Sequence, residues 1–186
     1  ESHCTGSLWD RVEVENTSMH HMQMTGCTFN GSTFKGVQMR HTTLSEGVLY
    51  GTVFDQSDVI ESDFSQSLVE RCTFQLCQIT RANFQRSQLV GCRFLGGELM
   101  RTQFQHAMLI RTFFLNEPRL DINLGRADFA HAFLMDCDLQ GMNLYAANFE
   151  NALLVRVNFS GANLVNANFT NAVLVECQLH MADTSG

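Results

Sequence analysis

Large apolar residues return at every fifth position along most of this chain. In "AANFENALLVRVNFSGANLVNANF", from Ala146 to Phe169, they are Phe149, Leu154, Phe159, Leu164 and Phe169. Counting back in fives gives Leu144, Leu139, Leu134, Phe129 and Leu124, then Phe114, Leu109, Phe104, Leu99, Phe94, Leu89, Phe84, Ile79 and Phe74. The series continues through Phe54, Leu49, Leu44, Met39, Phe34, Phe29, Met24 and Met19 to Val14, ends forward at Leu174 and Leu179, and is interrupted by Arg119. A helix would repeat at about 3.6 residues and a strand at about 2, so neither alone produces this pattern. A second column, two residues earlier, is small: Ser57, Ser62, Ser67, Cys72, Cys77, Ala82, Ser87 and Cys92, later Ala127, Ala132, Cys137, Ala147, Ala152, Ala162, Ala167 and Ala172. The other three columns are mostly polar, and a repeat this long governs the whole fold.

Five residues suffice for one short strand segment and one corner. The central Leu or Phe and the small residue beside the corner both point inward, and four such sides close a square coil of about 20 residues. Coils stacked at strand spacing, about 4.8 Å, pair every backbone group with the coil above or below. The small column is a packing requirement, because four large residues beside the corners would overfill the cross-section. Gly91, Gly141, Gly161, Asn151, Asn166 and Asn171 fall at corners, where turns need unusual backbone angles.

The units "ANFEN", "ANLVN", "ANFTN" and "ADFAH" resemble the pentapeptide-repeat family, whose pattern is A(D/N)LXX. The resemblance runs from about Val14 to Asp183 and implies an all-β fold, a right-handed quadrilateral β-helix of about eight coils. In the amino-terminal half, Thr, Ser and Gln replace Ala and Asn/Asp, but the core column persists. The expected organisation is a lead-in or partial coil at 1–13 and a β-helix at 14–184. The chain does not start with Met and shows no recognisable cap, so a segment of a longer protein, or one lacking its caps, is expected.

One stretch, "FFLNEPRLDINL" (Phe113 to Leu124), disturbs the pattern: Arg119 occupies a core position and Pro118 cannot donate to a ladder. Positions 20 apart should stack, which would set Leu124 on Phe104. If Asn116, Glu117, Pro118, Arg119 and Leu120 leave the winding, Phe129 stacks on Phe104 instead, and one Phe ladder continues through Phe149 and Phe169. The sequence therefore predicts an excursion of one pentapeptide near 115–120.

Applying that excursion exposes a greasy stripe. The side with core residues Leu49, Val69, Leu89, Leu109, Leu134, Leu154 and Leu174 carries outward Val48, Tyr50, Leu68, Val90, Met108, Ile110, Phe133, Met135, Leu153, Val155, Val173 and Val175. The face bearing Phe129, Phe149 and Phe169 instead turns Asp128, Ala130, Asn148, Glu150, Asn168 and Thr170 outward, and no other face is expected to be greasy. The stripe is on the order of 600–1,000 Å², at or above the usual largest patch on a soluble monomer. A second copy, another protein or another part of a longer chain should cover it.

Composition narrows the chemistry. At 186 residues the chain is one domain, with a single Pro. There is no signal peptide and no apolar run long enough to span a membrane. Six of the seven cysteines, Cys27, Cys72, Cys77, Cys92, Cys137 and Cys177, occupy the small inward column, where they act as core fillers. Free thiols point to a reducing compartment, the cytoplasm, with delivery inside a secreted effector as the alternative. In "SMHHMQM" only His20 and His21 should face solvent, and His41, His106 and His131 lie on outer corners, so no metal ligand set is assigned. No catalytic constellation or phosphate loop appears, so neither an enzyme nor a cofactor is expected. Net charge is −7, which disfavours direct nucleic-acid binding, although Arg81, Arg101 and Arg126 should stack on one corner as a candidate site for an anion or acidic partner.

Two functions are weighed. The first is a non-enzymatic protein–protein interaction scaffold presenting flat β-faces, its apolar face serving dimerisation or partner docking, in a bacterial effector or secretion-associated protein. The second follows from the family resemblance alone: Qnr and MfpA-type members mimic DNA and engage DNA gyrase or topoisomerase. Against it, the faces here mix Arg with Asp and Glu, and the carboxyl-terminal helical dimerisation segment is missing.

Overall fold

The structure is a computed structural model that describes residues 2–116 and 121–185. Among the described residues fifteen short strands follow one another: β1 Leu8–Asp10, β2 Glu13–Glu15, β3 Thr28–Asn30, β4 Thr33–Lys35, β5 Val48–Tyr50, β6 Val53–Asp55, β7 Leu68–Glu70, β8 Thr73–Gln78, β9 Gln88–Val90, β10 Arg93–Glu98, β11 Met108–Ile110, β12 Phe113–Leu115, β13 Phe133–Met135, β14 Leu153–Val155 and β15 Val173–Val175. All pairing is parallel. The first face is a nine-stranded sheet, β1-β3-β5-β7-β9-β11-β13-β14-β15, and the second a six-stranded sheet ordered β12-β10-β8-β6-β4-β2. Single bridges build the third face, as in Ser18↔Gln38↔Asp58, and the fourth, as in Asp63↔Asn83↔Gln103. These four parallel faces make the quadrilateral β-helix that the sequence implied. Pairing begins early: His3 bridges Gln23, and β1 pairs with β3.

The core is the five-residue column. Phe34, Phe54, Phe74, Phe94 and Phe114 form one fully buried ladder under the second face, with adjacent rings 4.9–5.1 Å apart. Under the fourth face, Phe104 and Phe129 stack at 4.9 Å with ring planes 5° apart, and Phe149 and Phe169 continue the ladder. In the last coil described, Leu174 and Leu179 are 39% and 40% exposed.

Register locates the excursion. Phe94 pairs with Phe114 twenty residues on, but Met108 pairs with Phe133 and Glu98 with Asn123, each twenty-five on. The five extra residues therefore fall between β12 and Asn123. Asn116 Oδ1 accepts the Ile122 N–H at 2.7 Å across this corner. Glu117, Pro118, Arg119 and Leu120, on which the looped-out pentapeptide was placed, lie outside the described residues. The six-stranded sheet ends here as well. Above it the same corner is closed by turn bonds such as Met142 N to Leu139 O and Ala162 N to Phe159 O.

Corners share one backbone solution. The position two residues after the core residue is left-handed at nearly every corner, including Gly91, Gly141, Gly161, Asn151, Asn166 and Asn171, with Asn116 beside the excursion as an exception. Arg, His, Glu and Gln take it too, from Arg11 to Glu176. Left-handed backbone costs about 1–2 kcal/mol per non-Gly residue, so the stacked ladders must supply that energy.

The small column does more than save space. At corners between the first and second faces, no turn bond among the described residues reaches the core residue's carbonyl, and a side chain one coil above donates to it from Trp9 up to Leu109 and again at Leu154, whereas Val157 above Leu134 has no donor. Ser32 Oγ donates to Trp9 O at 2.8 Å, Thr112 Oγ1 to Leu89 O at 3.0 Å, Cys92 Sγ to Val69 O at 3.1 Å and Cys137 Sγ to Leu109 O at 3.4 Å. Where turns close on themselves, as at Ala127, Ala132 and Ala147, alanine suffices.

Candidate interaction surfaces

The twelve residues of the expected stripe all stand on the nine-stranded sheet, pointing outward. Strand alternation buries Leu89, Leu109, Leu134 and Leu154 and turns their neighbours to solvent. Register sets them in two rows: Met108, Phe133, Leu153 and Val173 in one, and Val90, Ile110, Met135, Val155 and Val175 in the other. Val48 pairs with Leu68 lower on the first row, with Tyr50 beside it. Gln88 and Glu70 are the polar interruptions, so the stripe is unbroken above β9. Leu153 is 41% exposed and Val173 53%.

Two additions escaped the sequence reading. Leu8, at the foot of the first row, is well exposed. The expectation that no other face is greasy also needs correction: Leu95, Leu115 and Phe113 lie outward on the second face beside the excursion, with Leu95 and Leu115 paired in register. Their signal was present in the outward neighbours of Phe94 and Phe114.

Arg81, Arg101 and Arg126 occupy successive levels of the corner between the third and fourth faces, all exposed and left-handed. The coils join here through Arg81 N to Met100 O and Arg101 N to Gly125 O. Arg81 Nη1 meets Glu61 Oε1 at 2.9 Å; Arg101 and Arg126 form no ion pair among the described residues. The opposite corner of the fourth face carries Arg86, His106 and His131, the two imidazoles stacked at 4.8 Å.

His21 stacks on His41 at 5.0 Å, and His41 Nδ1 lies 3.3 Å from Glu61 Oε2. His20 sits in an open groove of about 430 Å³ with Gln38, Arg40 and Asp58. Its groups are already committed: Arg40 Nε donates to Asp58 Oδ2 at 2.5 Å, and the Arg40 N–H donates to His20 Nδ1. His20 Nε2 lies 3.2 Å from Gln38 Oε1 as well, so the described side chains of the groove pair with one another. Among the described residues no group of three or more His, Cys, Asp or Glu is arranged to hold a metal ion.

Burial suppresses thiol chemistry. Desolvation pushes Cys77, Cys92 and Cys137 up to about 12, and raises Cys72 further with help from neighbouring Cys92. At neutral pH these thiols stay protonated and unreactive. At an exposed corner of the first face, the hydrogen bond and charge of Arg156 hold the Asp136 carboxyl below its ordinary value, through contacts at 2.6 and 3.0 Å.

A four-sided parallel β-helix, filled by side chains and patterned only on its outside, defines a class: repeat proteins that act through their faces. The sequence profile of pentapeptide repeats matches at residues 60–96, 122–161 and 152–183, with eight copies. This covers more than half of the chain, which belongs to the pentapeptide-repeat family. Among solved structures, HetL, a pentapeptide repeat protein involved in heterocyst differentiation regulation from the cyanobacterium Nostoc sp. strain PCC 7120, is similar with a TM-score of 0.75 and 18% identity, over 97% of this chain and 86% of HetL. A trypsin-treated form of QnrB1, a plasmid-mediated fluoroquinolone resistance protein, gives 0.69 and 18% identity, over 100% of this chain and 85% of that one. Such distant likeness carries the fold. No curated protein sequence is significantly similar to the chain.

Proposed function

We propose that the protein is a non-enzymatic interaction scaffold and that its nine-stranded face docks against a second copy of the chain. The observation that carries this is the double apolar row from Val90 to Val175. Water-exposed apolar surface favours burial at about 25 cal/mol per Å². A standard stable interface buries about 800 Å² per partner, which the stripe matches in size. A flat face is also self-complementary under a two-fold axis. The scaffold reading extends to the bacterial effector or secretion-associated setting drawn from the sequence, where partners are proteins.

The Qnr-like reading is second. DNA mimicry needs continuous acid along a face, whereas the second face runs Glu13, Thr33, Val53, Thr73, Arg93, Phe113. Light scattering on the wild type and on a Leu153→Glu, Val155→Glu double variant tests the proposal. A wild-type dimer that becomes a folded monomer is expected. A monomeric wild type overturns self-association and leaves the face to a different partner.

A further inference from the structure

The fourth face carries a feature that the scaffold reading does not use. Between the levels of Arg81 and His131 it is flat and built of amides, Asn83, Gln85, Gln103 and Gln105, with Asp128 as its one acid. Both edges are basic: Arg81, Arg101 and Arg126 on one corner, and Arg86 with the stacked His106 and His131 on the other. In a chain of net charge −7 this is a local reversal of sign. Arg86, Arg101 and Arg126 make no ion pair among the described residues. Asp128 is occupied: Oδ2 accepts from Gln105 Nε2 at 2.8 Å, and Oδ1 from Asn148 Nδ2 at 3.1 Å and from the Ala130 N–H at 3.0 Å.

We infer that this two-edged basic frame binds a short acidic segment of a partner polypeptide. Length is the first argument. The frame spans three coil levels, about 10 Å at strand spacing. It is bounded below by Glu61 and Asp63 and above by Glu150. A long polyanion such as duplex nucleic acid would run into those acids, whereas a segment of three to five residues, on the order of 10–16 Å extended, stays within the frame. Geometry is the second. In an extended chain, successive side chains point to opposite sides, so carboxylates on consecutive residues reach opposite edges. Flexible arginine stems absorb the mismatch between the two repeats, and each guanidinium can take a carboxylate through two hydrogen bonds. The amide floor is the third: Asn and Gln side chains both donate and accept, as a peptide backbone requires.

This inference concerns a different face from the apolar stripe and stands whether or not the protein dimerises. The test is fluorescence anisotropy with a labelled decapeptide of four consecutive Glu flanked by three Ser on each side, at 50 and 300 mM NaCl. The wild type should bind at the lower salt and weaken at the higher. R101E/R126E should bind at least tenfold more weakly, and R86Q, on the opposite edge, should also weaken. R93E/R111E reverses two exposed arginines away from this face and should bind like the wild type. The Leu153→Glu, Val155→Glu variant should lose dimerisation while retaining the peptide, which separates failure of one proposal from failure of the other. Circular dichroism establishes that each variant is folded. Absence of wild-type binding, equal loss in R93E/R111E, or tighter binding of a 20-base-pair DNA duplex than of the peptide overturns the inference.

Discussion

Asn148 shows what one side chain does in this fold. Its Nδ2 donates downward to Asp128 Oδ1 at 3.1 Å, while its own Oδ1 accepts from Asn168 Nδ2 at 3.0 Å and from the Glu150 N–H at 3.1 Å. Asn143 is placed in the same way between Asn123 and Asn163. Within these Asn ladders donation runs toward the coil below, so the lowest member needs only to accept. Asp63 under Asn83, Asp128 under Asn148 and Asp138 under Asn158 fit that role. The D/N choice in the repeat is thus directional: aspartate can begin a ladder and asparagine continues it. Asn148→Asp would set two carboxylates against each other and should cost about 1–3 kcal/mol in urea unfolding at pH 7. The introduced carboxyl would have a folded pKa raised above its unfolded one. The loss should therefore shrink as pH falls through the raised folded value toward the ordinary carboxylate range, and grow as pH rises through it. Equal losses at pH 4 and pH 7 would refute the directional reading.

At the scale of strand and corner, β8 and β10 are the informative elements. They continue around a corner where other strands stop. Gly97, in β10, has φ of +109°, and a Cβ there would press into the Cys77 carbonyl oxygen. Gly97→Ala should cost about 2 kcal/mol or more, measured by thermal or urea melts, whereas Gly91→Ala, with its nearest neighbour an Arg71 side-chain carbon at 3.8 Å, should cost less. Much at this scale was legible in the chain. The core column, the left-handed corners and the stacking of Phe129 on Phe104 follow from a period of five and a coil of four sides. Three things did not follow. The period of twenty that joins Ser32, Thr52, Cys72, Cys92 and Thr112 was not read, although each of these side chains donates to the core residue's carbonyl one coil below. The change of corner type above β12 depends on hydrogen bonds within turns, which similar pentapeptides can make or omit. The candidate site was only half legible: the stacked arginines on one corner followed from register, but Arg86, His106 and His131 complete a frame only when two corners are viewed across one face.

The molecule as a whole is a stack in which each coil touches only its neighbours, so its ends should open before its middle. The cysteines report on this. Cys4 and Cys177, near the two ends, are half-buried, whereas Cys27, Cys72, Cys77, Cys92 and Cys137 are buried. A thiol reagent at pH 8 should label Cys4 and Cys177 promptly and the other five only as denaturant opens the stack, read residue by residue by mass spectrometry. Prompt labelling of Cys92 in the native protein would contradict a filled, stable middle. The step in register from twenty residues to twenty-five has a consequence of another kind. Five residues are one side of the square. Wound into the coil, they would turn everything downstream by a quarter revolution. Leu134 would then follow Phe114 on the second face, and the first face would present Asp128 and Ala130 above Met108. The greasy rows would break at mid-length and the basic frame would split. Because the surplus falls at a single corner, the upper part of the rod keeps its azimuth relative to the lower part. The alignment of every surface across the molecule's length is therefore set at one place, and an insertion of the same size at any other corner would preserve it only by also staying outside the winding.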